Sequence, residues 1–268
     1  MRQEFHPKPP ALVKGRYSAR LATSADERLA VQRLRHLCFV EASGGQSRPD
    51  GLDRDDHDAH CRHAMIEDRR DGRLIATFRL MSLSSGAGIG RSYAAQFYDL
   101  TALTGYPGPM AELGRFCVIP GLRDPDVLRV AWGLLTRMVD EAGVTFLFGC
   151  ASFAGADATP YRGALAMLHA RHLAPPSWRP GVRAPEVVAL AGPAPDPRLA
   201  LLQVPPLLRT YLLMGGRVSD HAVIDRDLNT LHVFTGLETG RVPAARARAL
   251  RAVAETCGNG VEPARVRG

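Results

Sequence analysis

The stretch Met110-Ala-Glu-Leu-Gly-Arg-Phe-Cys-Val-Ile-Pro120 constrains this chain more than any other. Apolar and β-branched residues dominate it, turn residues bound it and Pro120 stops it, so it reads as a strand in an apolar sheet. Yet Glu112 and Arg115 lie three residues apart within it, with Gly114 between them. On a regular strand such residues face opposite sides, because side chains alternate with period two. A bulge at Gly114 would add one residue and bring both charges to one side. Charges aimed into an apolar sheet need a partner or a substrate to offset their desolvation. Two readings are open: a structural ion pair between Glu112 and Arg115, or a site built around them.

The chain around this strand is long enough, at 268 residues with 46% hydrophobic content, to bury a substantial core in one large domain. A net charge of +7 admits an anionic partner, whether nucleic acid, a membrane surface or an acidic protein. The five cysteines have no framework spacing and read as reduced thiols. Neither a signal region nor a run long enough to cross a bilayer is present in the sequence.

Read in order, residues 1–15 are expected to form a flexible arm rich in Pro and Lys, followed by a strand through Tyr17, Ala19 and Leu21. Ser24-Ala-Asp-Glu27 is a capping box opening a helix to about Val40, with Arg35 and Phe39 four apart on one stripe. Asp53-Arg-Asp-Asp-His-Asp58 concentrates four carboxylates, and Asp55 and Asp58 share a face if this is a helical turn. His57, His60, Cys61 and His63 have helical spacings, but no second ligand cluster closes a metal site, so none is expected. Strands over 63–68 and 73–83 meet at Asp71-Gly72, and Arg79 is a second charge on an apolar strand. Gly86-Ala-Gly-Ile-Gly90 lacks a full phosphate-loop pattern and reads as a flexible connector. Helices over 126–142, 161–173 and 205–214 and late strands over 222–225 and 231–236 complete the domain to about residue 240. Cys150 ends an apolar strand and reads as a core residue rather than a nucleophile. Residues 241–268 form a basic amphipathic helix and tail with six arginines against two glutamates. This segment reads as a solvated surface, or as a contact for acidic partners or lipid headgroups.

The order β-α-loop-β-β-β-α-β-α-β, with a special central strand leading into a helix, resembles the GCN5-related N-acetyltransferase (GNAT) fold, an α/β mixed sheet with flanking helices. Arg35-x-x-x-Phe39, Asp55-x-x-Asp58, Arg79-Leu80 and Glu112-x-x-Arg115 resemble the ordered signature of acyl-homoserine-lactone synthases. Further blocks are closer to a sister family: Leu52 to His63, Glu112 to Cys117, Leu147 to Phe153, Pro205-Pro-Leu-Leu-Arg-Thr-Tyr211 and Asp225-Arg-Asp-Leu-Asn-Thr230. Together they resemble the L-ornithine N-alpha-acyltransferases of ornithine-lipid synthesis, over about residues 15–236.

That resemblance implies transfer of a 3-hydroxyacyl group from acyl carrier protein to the α-amine of ornithine, in the cytoplasm or on the inner membrane surface, with no bound cofactor. Arg35, Arg79 and Arg115 would meet the acceptor's carboxylate, and Asp55, Asp58 and Glu112 its ammonium, with Phe39 beside them. Glu112 is the candidate base and Arg115 its catalytic neighbour. The turn Pro120-Gly-Leu-Arg-Asp-Pro-Asp126 departs from the glycine-rich cradle of coenzyme A users, since prolines remove amides and aspartates repel phosphate. An arginine there, Arg123, suits the single phosphate of a carrier protein's phosphopantetheine. His57, where the family more often has Phe, is a second departure. Other readings stay open: the same chemistry on glutamine, signal synthesis, or a basic membrane-surface or nucleic-acid-binding protein. Against nucleic acid, no binding motif with interleaved aromatics is present.

Overall fold

Two side-chain periods divide the central strand, β6 (Met110–Val118), between the layers of the molecule. Ala111 and Leu113 enter one apolar core, whereas Met110 enters a second on the opposite face. The computed structural model describes residues 11–46, 48–192 and 197–255. Its main sheet has nine strands. On one side of β6 lie β4 (Leu74–Leu83), β3 (Cys61–Asp68), β2 (Tyr17–Leu21) and β1 (Leu12–Lys14), all antiparallel. On the other, β7 (Phe146–Ala154) runs parallel to β6 and leads to β11 (Thr230–Glu238), β10 (Arg217–Asp225) and β9 (Val187–Ala189). β5 (Tyr98–Asp99) and β8 (Gly181–Val182) form a separate two-stranded pair.

The parallel step from β6 to β7 requires a crossover, supplied by α2 (Pro125–Glu141). Its buried residues Val127, Val130, Ala131, Leu134, Leu135 and Met138 recur at helical spacing and pack against Ala111, Leu113 and Leu147. α1 (Ala25–His36) opens with the expected Ser24–Glu27 capping box and lies on the opposite face. It passes into a π-helical turn, Leu37–Glu41, which carries Phe39. α3 (Arg162–His172), α4 (Pro197–Gln203) and α5 (Pro206–Leu213) continue the α2 side. The segment 84–109 covers the other face through Ile89, Ala94, Tyr98 and Leu103.

Several expectations need correction. Residues 12–14 pair with β2, and Leu12 is fully buried, so the flexible arm expected over 1–15 cannot include them; residues 1–10 lie outside the described residues. Gly86–Arg91 is a short helical turn rather than a flexible connector. A Cβ on Gly86 would lie 1.9 Å from the Leu103 carbonyl, so that glycine permits close backbone packing. The basic C-terminal helix is α6 (Ala244–Glu255), and its apolar side lies on α2, with Leu250 and Ala254 against the main core and Arg251 paired with Asp140. Residues 256–268 lie outside the described residues.

Candidate active site

The bulge on β6 exists, displaced by one position from the sequence expectation. Arg79 faces Gly114 in register, but Thr77 faces Cys117, so β6 has one residue more than β4 between these pairs. The left-handed residue is Arg115, at φ +50°, not Gly114. The extra residue reverses the facing of the rest of the strand: Leu113 packs with α2, whereas Cys117, four residues on, packs with α1. Glu112 and Arg115 thereby share one side of the sheet, with Arg79. Gly114 faces Arg79 across the ladder, and a Cβ there would make only ordinary contact with that side chain, 3.4 Å from its Nε.

Glu112 and Arg115 do not pair with each other. Arg115 belongs to a closed ring of three arginines and three aspartates. Arg35 donates to Asp53 at 2.7 Å, and Arg115 to the same Asp53 at 3.0 Å. Arg115 also reaches Asp55 at 3.2 Å, and Arg79 reaches Asp55 at 2.8 Å. Arg79 then contacts Asp58, which accepts from Arg35 at 2.8 Å and closes the cycle. Asp55 caps the short helix Asp56–His60, and the three-residue turn of a 3₁₀ helix brings Asp58 onto the face of Asp55. Burial would raise these three carboxyls, but the arginines hold all of them below the ordinary aspartate value. The Tyr93 ring lies 4.6 Å from the Arg115 guanidinium and 5.7 Å from that of Arg79. Four of the expected substrate-binding residues, Arg35, Asp55, Asp58 and Arg79, thus meet one another. Asp53 completes the ring; nothing in the sequence sets it apart as a site residue, although it begins the acidic run that contains its partners.

Glu112 is buried, and its carboxylate is held by two main-chain amides, Tyr93 N at 2.8 Å and Ala94 N at 2.7 Å. These are free donors at the start of the short helix Ala94–Gln96. Burial raises the Glu112 pKa above its usual value, against the opposing pull of those amides and of Arg79 and Arg115. Each oxygen keeps a lone pair for a further donor.

Beside Glu112 the sheet opens. β6 and β7 pair only from Met110↔Phe146 to Glu112↔Phe148, and there the ladder ends. Gly149 follows, where a Cβ would lie 2.2 Å from the Leu113 carbonyl, so only glycine fits at the parting. A cavity of about 740 Å³ fills the opening. Its walls are β6 from Glu112 to Val118, β7 from Gly149 to Ala154, the start of α2, α5 with Tyr211, and the β10–β11 hairpin with Asp225, Thr230 and His232. Phe39 and Arg123 also line it. Cys150 stands in the wall, and burial pushes its thiol well above the ordinary value, which keeps it protonated.

The start of α2 is already occupied by its own chain. Asp124 caps it by accepting from Asp126 N at 2.9 Å, and Pro125 brings no amide hydrogen. Tyr17 donates to the same Asp124 at 2.8 Å. Arg123 is exposed beside this end. The histidines near the acidic run do not assemble a metal centre: among the described residues no group of three or more His, Cys, Asp or Glu is gathered as ligands. No helix among them is long and apolar enough to cross a membrane.

The acetyltransferase (GNAT) domain family matches residues 34–133, which run from the last turn of α1 through the charge ring into the first half of α2. An L-ornithine N(alpha)-acyltransferase of Rhodobacter capsulatus is 37% identical over 233 residues, covering 83% of this chain and 90% of that protein. Another from Rhizobium meliloti is 31% identical over 238 residues, covering 83% of this chain and 80% of that protein. Among solved structures, an N-acyl amino acid synthase from uncultured soil microbes aligns over 90% of this chain and 98% of its own, with a TM-score of 0.49 and 14% identity.

Proposed function

The chain belongs to the L-ornithine N(alpha)-acyltransferase family, and we propose that it moves a 3-hydroxyacyl group from acyl carrier protein to the α-amine of L-ornithine. The products are lyso-ornithine lipid and the free carrier thiol. One observation carries this reading: the sheet parts directly beside a buried carboxylate whose pKa is raised.

In this reading the thioester enters where β6 and β7 separate. The acyl chain lies along Leu113, Val127, Leu128, Leu207 and Leu208, which give the cavity an apolar wall. The acceptor's α-ammonium passes a proton to Glu112, directly or through water. The neutral amine attacks the thioester carbon and forms the C–N bond. Main-chain amides of β6 beyond Glu112, where no ladder with β7 remains, stabilise the tetrahedral oxyanion. Collapse breaks the C–S bond, and the thiolate leaves with the proton released from the amine. Arg115 and the ring around it hold the bulge, and with it the wall beside Glu112, in place.

The choice of donor is supported by the start of α2. A pyrophosphate there would meet the carboxylates of Asp124 and Asp126 instead of free amides. A single phosphate delivered by an acidic carrier protein and met by Arg123 avoids that repulsion. The exposed arginines Arg246 and Arg248 of α6 would suit a carrier protein or an anionic membrane surface. Purified protein supplied with 3-hydroxyacyl carrier protein and L-ornithine should form the N-acyl product and release carrier thiol. Absence of product with ornithine overturns the acceptor assignment, and an equal rate with the coenzyme A thioester overturns the donor assignment.

A further inference from the structure

Four carboxylates are buried among the described residues: Asp53, Asp68, Glu112 and Asp225. Three have their charge answered within the protein. Asp53 lies between Arg35 and Arg115, Asp68 between Arg16 and Arg70, and Glu112 accepts two amides. Asp225 is the exception. It is 6% exposed, lines the cavity and accepts only Leu228 N, at 3.0 Å. No described arginine, lysine or histidine lies within ion-pair distance of it.

The neighbouring wall offers acceptors as well. Thr230 stands opposite Asp225 in the β10–β11 register, and its buried hydroxyl has no hydrogen-bond partner. His232, two residues on and facing the same way, has an unpartnered and buried Nε2. Tyr98 donates its phenol proton to the His232 carbonyl at 2.8 Å, so the Nδ1 contact of 3.1 Å with the same phenol oxygen places the ring proton on Nδ1. Nε2 is then a buried lone-pair acceptor on a residue that lines the cavity. Burial, with Arg115 and His221, pushes the His232 pKa down to about 3, so the ring is neutral and does not repel a cation.

A negative charge with no cation, beside a hydroxyl and an imidazole acceptor, is the complement of a primary ammonium, which has three donors and a positive charge. We propose that Asp225, assisted by Thr230 and His232, binds the side-chain ammonium of a diamino-acid acceptor and is the residue by which the enzyme selects ornithine over neutral amino acids. This rests on the acyl-transfer reading above and names the group that reads the far end of the acceptor. A neutral acceptor would leave the buried carboxylate unanswered, and sites of this kind strongly reject analogues that lack the matching group.

The test compares L-ornithine with L-norvaline, which has the same carbon chain and no side-chain amine, using 3-hydroxyacyl carrier protein and the full chain. In the wild type kcat/KM should favour ornithine by about 100-fold or more. Asp225→Asn keeps an oxygen for Leu228 N and should collapse that ratio toward 1, chiefly through the KM for ornithine. A ratio preserved in Asp225→Asn overturns the inference while leaving the acyl-transfer reading intact. Equal loss with both acceptors in Asp225→Asn and Asp225→Glu would make the residue structural and also overturn it. A wild type that acylates neither acceptor overturns the acyl-transfer reading, and this inference with it.

Discussion

The charge ring and the cavity lie on either side of Arg115 and treat charge in opposite ways. In the ring, three guanidinium groups and three carboxylates alternate, so every charge has two opposite neighbours and the sum is zero. In the cavity, Glu112 is held only by amides, and Asp225 by one amide. A closed ring gains little from an added ion and loses much if one member is removed, which is the behaviour of a scaffold. An incompletely answered carboxylate in an apolar wall can take a proton or a cation, which is the behaviour of a site. The strained Arg115 joins the two: its left-handed backbone costs about 1–3 kcal/mol and persists because Asp53, Asp55 and Tyr93 hold its side chain.

Substitutions in the two regions should do different kinds of damage. Glu112→Gln should lower kcat by about 10²–10⁴-fold in the carrier-protein assay, at a stability cost of only about 1–3 kcal/mol, because its amide nitrogen would face one of the two main-chain donors. Full turnover in that variant would remove Glu112 as the base. Asp53→Asn should do the reverse in kind, leaving Arg35 and Arg115 each short of an opposite charge even where the Asn oxygen still accepts from them. A loss of about 3–5 kcal/mol is expected in denaturant unfolding, before any effect on chemistry is considered. A stable Asp53→Asn protein with a selective loss of turnover would move the ring from scaffold to site.

Titration separates the two regions further. The folded pKa of Glu112 lies above its ordinary value, so the acid limb of the kcat/KM profile should have its midpoint above 4.5, with activity growing as pH rises. The same shift makes its ionisation destabilising, so stability declines as pH climbs from 4.5 through the folded value. Glu112→Gln should lack that decline in a series of melting curves. The ring aspartates have the opposite sign. Their contribution is full above the ordinary aspartate value of 3.8 and is lost as pH falls through their lower folded values. The smallest effect belongs to the exposed Arg123: Arg123→Ala should raise the KM for the carrier-protein donor about 2- to 5-fold, in a salt-dependent way, as expected for one surface charge.

Five of the six ring residues were legible: Arg79 and Arg115 as charges on apolar strands, and Arg35, Asp55 and Asp58 through the resemblance to the acyl-homoserine-lactone synthase signature; Asp53 was not. Their partners were not legible. Complementary charges in sequence are equally compatible with clamping a zwitterionic acceptor and with pairing among themselves, and it takes the approach of α1, the acidic turn, β4 and β6 to bring them into one ring. Asp225 was hidden for the opposite reason. An aspartate before a turn ordinarily reads as a capping residue, which it also is through Leu228 N, and its lack of a cation is visible only in three dimensions.

What the sequence determined by itself is the alternation of the strands, the capped helix, the helix after the central strand and the need for an irregularity between Glu112 and Arg115, since all of these arise from local periodicity and from the desolvation of charge. The tertiary structure alone decided that Arg115 takes the left-handed position, where Asp53, Asp55 and Tyr93, brought from elsewhere in the chain, hold its side chain. It also decided where the sheet opens. The parting of β6 from β7 at Gly149 depends on a backbone contact with Leu113, between residues far apart in the chain, and no local pattern records it.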